Sequence, residues 1–277
     1  MADNKGLMYE SAIMYHALSQ LKEPTLTEQS QINIFRSKIT DQRVDQTARR
    51  MLSNIWSNDP TSPTSQQFYR SFRKLGGGRP EPKTDVLFIK NGVKHRCSLK
   101  FGGRWQFSSA GIQGNLVLLE KILTKITLAG SMTGVSTIQV ANLLEWMQDE
   151  ITSQPTKQIK SIQSARLSAL KQSGSANDTL EKILGGKKNP QLDPLFTSFK
   201  REFIRENMTG SIAFGANDDR CANYVMDMDN LYPITNNVID DLLDKVYVEL
   251  RLKGRSTDEY TGERLNEIVL RVEQVNE

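Results

Sequence analysis

The sequence predicts an α/β protein, and three observations support this fold class. The first third of the chain has apolar residues at helical spacing, its middle holds two strand-like runs joined by Asn91-Gly92, and strand-like runs return towards the end. A chain of 277 residues that is 38% hydrophobic and 25% charged is long enough to bury a sizeable core. We therefore expect helices and a sheet to share that core.

Helical periodicity predicts a block of helices in the first third, at residues 6–22, 27–38, 41–57 and 62–74. The glycine- and proline-rich stretch 76–82 ends this block, because such a composition breaks any helix. Further helices are expected at 112–128, 135–150, 157–171 and 194–207, with exposed connections at 172–177 and 185–186. The late strand-like runs, 224–228, 245–253 and 267–272, are expected to rejoin the sheet that begins in the middle of the chain.

The strongest local signal is a β-hairpin formed by residues 83–90 and 93–100. Asn91-Gly92 suits a two-residue type I′ turn, because both turn positions need a positive φ. In that register Lys90 pairs with Val93, and Asp85 faces Ser98. Side chains alternate along a strand, so one face is predicted to be the core face, with Thr84, Val86, Phe88, Val93, His95, Cys97 and Leu99. The opposite, polar face gathers Asp85, Ser98 and Lys100 at the open end of the hairpin.

Composition excludes several classes of protein. No apolar stretch approaches the length of a membrane span, and the first residues lack the layout of a signal peptide, so we expect an intracellular protein without a membrane partner. Two cysteines, Cys97 and Cys221, are too few for a disulfide framework. With His16 and His95 as the two histidines, no zinc-finger spacing can be assembled. Any metal must therefore be bound mainly by oxygen.

The net charge of +4 is small, but its distribution is uneven. Between Arg79 and Arg104 the sequence has seven Lys or Arg against two acids, a local net charge of +5. A solvated, charged hairpin would explain this pattern. A surface that contacts nucleic-acid phosphates would explain it as well.

The hairpin resembles the catalytic core of the PD-(D/E)xK, or restriction-endonuclease-like, nuclease superfamily. The resemblance lies in Pro82-Lys83-Thr84-Asp85 followed by Cys97-Ser98-Leu99-Lys100. It implies a central mixed sheet flanked by helices, with Asp85 and the Leu99 carbonyl as ligands of Mg²⁺ or Mn²⁺. Lys100 would then align the attacking water. Such an oxygen-bound cation suits hydrolysis of a DNA phosphodiester.

Ser98 departs from the family pattern, which usually has Glu or Asp at this position. A hydroxyl is a weaker ligand than a carboxylate, so either another acid replaces it or the site is weak or inactive. Glu10 resembles the glutamate that such folds often place on the helix preceding the hairpin, directed at the metal. It also has a simpler reading, as an acid near a helix N-terminus.

Further candidates surround this motif. Gln106 resembles the polar residue that several branches place shortly after the lysine to contact the substrate, although a plain strand or loop Gln is the alternative. Trp105 would stack on a base or pack in the core. The positive candidates for nucleic-acid contact are Lys83, Arg96 and Arg104.

The sequence therefore suggests a Mg²⁺-dependent nuclease acting on DNA. The alternative is a weak or inactive nuclease-fold protein that binds DNA, such as a phage protein at DNA ends or in the virion; the Ser-Leu-Lys variant and residues 208–215 resemble phage-encoded proteins. A third hypothesis is an interaction protein with an incidental hairpin.

We expect a helical block with the hairpin core at 1–129, a helical insertion at 130–189 and a C-terminal α/β part at 190–277. The expected location is the cytoplasm, or host cytoplasm or virion for a phage protein, and a homodimer is left open.

Overall fold

The computed structural model describes residues 4–76, 81–102, 105–153, 155–172, 176–190, 193–258 and 261–275. It is a mixed α/β structure with 51% helix, as the sequence predicts. The chain forms two compact units. The first unit comprises Met1–Trp105 and Met208–Thr235, and the second comprises Gln106–Asn207 and Asn236–Glu277.

The helices in chain order are α1 Lys5–Leu18, α2 Leu26–Ser37, α3 Gln42–Ile55, α4 Pro63–Arg70, α5 Ile112–Leu128, α6 Gly134–Ser153, α7 Lys160–Leu170, α8 Ala176–Leu184, α9 Thr197–Thr209, α10 Ser211–Phe214 and α11 Asn236–Asp240. A 3₁₀ turn, Pro194–Phe196, precedes α9. The strands are β1 Arg73–Lys74, β2 Val86–Lys90, β3 Val93–Leu99, β4 Gln106–Gly111, β5 Lys157–Ile159, β6 Tyr224–Met226, β7 Leu231–Pro233, β8 Val246–Thr257 and β9 Arg264–Gln274.

The helical block of the first third is confirmed, and its helices begin at side chains that cap them. Asn4, Asp41 and Ser62 each accept a hydrogen bond from the first turn of α1, α3 and α4. Thr25 and Glu28 form a capping box at the start of α2. The fourth helix ends at Arg70 rather than at residue 74, because residues 73–74 pair with β2 as strand β1.

The sheet of the first unit has the order β1-β2-β3-β6-β7. It is mixed, because β3 and β6 are parallel whereas the other neighbours are antiparallel. The predicted hairpin register is confirmed: Lys90 lies opposite Val93, and Val86 lies opposite Cys97. Asn91 and Gly92 have φ values of 51° and 76°, as this kind of turn requires. The turn therefore fixes which residues meet at the open end of the hairpin.

The core of the first unit lies between the sheet and the helices. Helix α1 is buried over most of its surface, with Tyr9 and Ile13 fully covered. Phe88 of β2 stacks on Phe72 and on His95, with ring centroids 4.8 and 4.9 Å apart. His95 is thus a packed residue, as predicted. Val93 lies beside the turn and is 52% exposed, so its predicted place on the core face is wrong.

The second unit contains a separate sheet. Strand β9 lies between β4 and β5, and β8 also pairs with β9. Of the three late strand-like runs, the first forms β6 and joins the hairpin, whereas the other two form β8 and β9. The expectation that all three rejoin the hairpin sheet is therefore wrong. The predicted helix 157–171 begins with strand β5, and α8 starts within the connection predicted at 172–177.

Among the described residues, no helix combines the length and the hydrophobicity that crossing a membrane requires.

Candidate functional site

Asp85 lies immediately before β2, at the open end of the hairpin. Its backbone N–H donates to the carbonyl of Cys97 at 2.8 Å, although Cys97 already lies opposite Val86, so the regular hairpin pairing ends at Val86. Its carboxylate atom Oδ2 accepts a hydrogen bond from the backbone N–H of Leu99 at 2.7 Å. The Ser98 hydroxyl donates a longer bond, 3.5 Å, to the same atom. The structure therefore brings Asp85 and Ser98 together, as the hairpin register predicts.

The face of the hairpin that carries these residues is covered. Ser98 is only 5% exposed and Leu87, on the same face, is 7% exposed. Gly210 lies against this face, because a Cβ added there would come within 2.8 Å of Cγ of Lys83. Segment 208–222 packs at this open end, where the carbonyl of Arg220 accepts hydrogen bonds from the backbone N–H groups of Lys83 and Thr84 at 2.9 and 3.2 Å. Ser98 is a buried hydroxyl rather than a water-facing one.

Lys100 follows β3 directly and is partly buried. Its backbone N–H donates to the carbonyl of Met226 at 2.8 Å, which extends the parallel pairing of β3 with β6. Burial lowers the pKa of the Lys100 ammonium, whereas the negative charges of Asp85 and Glu10 act in the opposite direction. Lys100 is therefore within electrostatic reach of both candidate carboxylates.

Glu10 of α1 and Asp85 line the same cavity, which has a volume of about 500 Å³. The cavity wall also includes Lys74 of β1, Glu81 and the ring of Phe35. Lys74 Nζ lies 2.7 Å from Oε2 of Glu10, and both side chains are largely covered, at 26% and 13% exposure. Glu10 thus points to the end of the hairpin and not to open solvent.

Burial raises the pKa of Asp85 to about 6. Lys100 opposes this change most strongly, Glu10 adds to it through like-charge repulsion, and the Leu99 N–H and Lys74 oppose it further. A carboxylate whose charge is disfavoured in this way is typical of functional sites, although structural ion-pair networks also produce it. The site therefore contains two acids and two lysines in one partly buried cluster.

The oxygen atoms of Asp85, Glu10 and the Leu99 carbonyl suit a hard divalent cation. Mg²⁺ keeps several water ligands and is commonly held by one or two carboxylates together with substrate phosphates. Within the described ranges, no group of three or more His, Cys, Asp or Glu residues could hold a metal by itself. Glu10 and Asp85 are thus carboxylates at this cavity that could contribute oxygen ligands to a divalent cation, together with water and substrate.

The basic residues of the hairpin differ in availability. Arg96 donates from Nη1 to the carbonyl of Asp218 at 2.7 Å, and Lys94 pairs with Asp219 at 2.9 Å. The Lys94–Asp219 pair neutralises part of the local positive charge, and one guanidinium nitrogen of Arg96 is occupied by a backbone carbonyl. Lys83 lies on the same face as Asp85, and its backbone N–H donates to Arg220 at 2.9 Å. Lys83 is thus partly buried, next to Gly210.

Three further candidates lie beyond the hairpin. Trp105 is partly buried and its ring lies 6.2 Å from that of Tyr232. Gln106 begins β4 in the second unit, where its Oε1 accepts a hydrogen bond from Arg271 at 3.0 Å. Arg104 lies outside the described residues.

Two arrangements were not predicted from the sequence. Lys74 enters the site because β1 pairs it with Val86, the neighbour of Asp85. No local motif marks this strand, since it has only two residues. His16, to which no role was given, is buried at 5% exposure, and its Nε2 lies 2.9 Å from Oδ1 of Asp45.

The chain matches no family model, no curated protein and no solved structure.

Proposed function

We propose that the protein is a Mg²⁺- or Mn²⁺-dependent nuclease that hydrolyses DNA phosphodiester bonds through a PD-(D/E)xK-like site. The observation that carries the proposal is that Glu10 lines the same cavity as Asp85. Glu10 supplies the second carboxylate that Ser98 does not provide. The mixed sheet with its flanking helices is compatible with a restriction-endonuclease-like core, which we include in the proposal.

The proposed chemistry assigns a role to each residue. A divalent cation held by Asp85, Glu10 and the Leu99 carbonyl would supply Lewis-acid polarisation of the scissile phosphate. Lys100 would hold the attacking water by hydrogen bonding and offset negative charge that develops on the phosphate. The oxygen of that water would form a new P–O bond and release one proton to solvent, while one ester P–O bond would break and the leaving alkoxide would take up one proton from solvent. Lys83 would contact an adjacent phosphate.

Cleavage of plasmid and linear DNA with Mg²⁺, with Mn²⁺ and with EDTA tests the proposal. We expect cleavage with either metal, and a loss of at least about a hundredfold in Asp85→Asn and Lys100→Ala, because each removes a group that acts on the reacting atoms. Asp219→Asn and Lys94→Ala are matched controls, since both residues are about half exposed and pair with each other away from the cavity. Cleavage that survives in Asp85→Asn and Lys100→Ala would refute the assignment.

Ser98 favours a second candidate, a nuclease-fold protein that binds DNA without cutting it. Its hydroxyl is buried against Asp85, and Lys74 already neutralises Glu10, so the site is stable without a cation. Tight, salt-dependent DNA binding with no cleavage under any divalent metal would favour this candidate.

Either function implies DNA as the partner, in the cytoplasm or, for a phage protein, in host cytoplasm or the virion. A homodimer stays a proposal that sedimentation equilibrium can decide.

A further inference from the structure

The Glu10–Lys74 ion pair occupies the position where the proposed function requires a cation. Lys74 Nζ is 2.7 Å from Oε2 of Glu10, the acid that replaces the missing carboxylate of Ser98. Leu75, the next residue, donates its backbone N–H to the carbonyl of Asp85 at 2.9 Å. Lys74 is therefore held beside both acids by the pairing of β1 with β2.

The charges of this cluster balance as they stand. Glu10 and Asp85 contribute two negative charges, and Lys74 and Lys100 contribute two positive ones. Glu81 and Arg73, which are exposed residues of the cavity wall, add one charge of each sign and leave the balance unchanged. A divalent cation placed between the two acids would leave an excess of two positive charges in a partly buried site. Like charges at such short distances repel strongly when water is scarce. One of the two ammonium groups must then move away from the acids.

Lys74 is the group that can move. Its strand has only two residues and forms the edge of the sheet. The Lys74 side chain lines the cavity, and its flexible four-carbon stem allows the ammonium to swing along the wall. Lys100 is more restricted, because its ammonium is buried enough to lower its pKa, whereas the Lys74 side chain keeps 26% exposure.

We propose that Lys74 is a resident counter-ion of Glu10, which a divalent cation displaces, and that the displaced ammonium then contacts the substrate phosphate in the cavity. This inference rests on the proposed function, since it assumes a cation at Glu10 and Asp85. It adds a positioning and substrate-binding role to a residue outside the nuclease motif. It also predicts that the resting protein binds metal weakly, because Lys74 competes for the same carboxylate.

Mn²⁺ binding without DNA, followed by electron paramagnetic resonance of the free ion, tests the first step. We expect Lys74→Met to bind Mn²⁺ about tenfold more tightly than the natural protein, the order of magnitude by which a neighbouring opposite charge shifts a carboxylate equilibrium. Lys74→Arg keeps the charge and should retain weak binding. Lys90→Met, at the end of β2 beside the turn, is the matched control and should leave Mn²⁺ affinity unchanged. In a protein that already carries Glu10→Gln, adding Lys74→Met should not increase the Mn²⁺ affinity, because the carboxylate for which Lys74 competes is absent.

DNA affinity in Ca²⁺, measured by fluorescence anisotropy against salt concentration, tests the second step. Lys74→Met should weaken DNA binding and reduce the salt slope by about one, as for loss of one phosphate contact. Equal Mn²⁺ affinity in Lys74→Met and the natural protein would overturn the counter-ion role. It would not bear on the nuclease proposal, which the cleavage assay tests separately. No Mn²⁺ binding by any variant would overturn both the counter-ion and the metal site. Unchanged DNA affinity in Lys74→Met would overturn the substrate contact.

Discussion

The backbone N–H of Leu99 donates a 2.7 Å hydrogen bond to Oδ2 of Asp85, across the open end of the hairpin. This bond ties the residue before β2 to the end of β3. It also fixes the carboxylate beside Ser98 and within reach of Lys100. The position of the candidate catalytic acid is therefore set by the backbone of the hairpin itself.

Asp85→Asn should change how stability depends on pH. The pKa of Asp85 is raised from 3.8 to about 6, so its protonated form is favoured in the folded protein. Stability linked to this group is fully present below pH 3.8 and is lost as the pH rises through 6. From pH 4 to pH 8 the free energy of unfolding of the natural protein should fall relative to Asp85→Asn by about 2–3 kcal/mol.

Urea unfolding at several pH values between 4 and 8 measures this difference. Asp219→Asn is the control, because its side chain is 47% exposed and lies at the turn side of the hairpin, paired with Lys94. Parallel stability profiles for the natural protein and Asp85→Asn would contradict the raised pKa.

Ser98→Asp should couple stability to divalent cations. A carboxylate at this buried position lies beside Asp85, and the like charges should lower the free energy of unfolding by about 1–3 kcal/mol without metal. A bound cation relieves this repulsion, so Mg²⁺ should raise the melting temperature of Ser98→Asp more than that of the natural protein. Thermal unfolding with and without Mg²⁺ measures the effect. Ser53→Asp, on an exposed face of α3, should show no such gain, and an equal response of both variants would count against the metal site.

Gly92→Ala should destabilise the hairpin. Gly92 has a φ of 76°, a conformation that costs about 1 kcal/mol for a residue with a Cβ. The register that places Asp85 opposite Ser98 depends on this turn. Gly134→Ala, where an added Cβ meets nothing within 4 Å, is the matched control and should be neutral or stabilising. Denaturant midpoints compare the two, and a neutral Gly92→Ala would show that the turn does not determine the register.

His16 should titrate below its usual range. Burial lowers the pKa of His16, and Asp45 opposes this change. Stability linked to His16 is therefore present above pH 6.5 and is lost as the pH falls through the lowered pKa. Asp45→Asn should lower the pKa of His16 further, which NMR titration of the imidazole signals can follow. His95, whose pKa burial also lowers, is the internal control and should not respond to Asp45→Asn.

Local signals were sufficient for the hairpin. Asn91-Gly92 determines the turn, the turn determines the register, and the register places Asp85 beside Ser98. The spacing of apolar residues also located the helix that carries Glu10. These features depend on residues that are close in the sequence, so a sequence contains enough information to predict them.

The partners of distant segments could not be predicted in the same way. The runs that form β8 and β9 have the pattern of buried strands, which fits either sheet. Lys74 joins the site only because β1 pairs with β2, a choice made by tertiary packing. The contact of segment 208–222 with Lys83 and Thr84 likewise joins distant parts of the chain.

The parallel pairing of β3 with β6 also determines when the candidate site can form during synthesis. The carbonyl of Met226 accepts the backbone N–H of Lys100. Residues 106–207, which belong to the second unit, lie between them in the sequence and leave the ribosome before Met226. Until Met226 is translated, β3 lacks its parallel neighbour and remains an open edge. Such long-range closure slows folding, so the nascent chain should carry the hairpin early and a completed site only late.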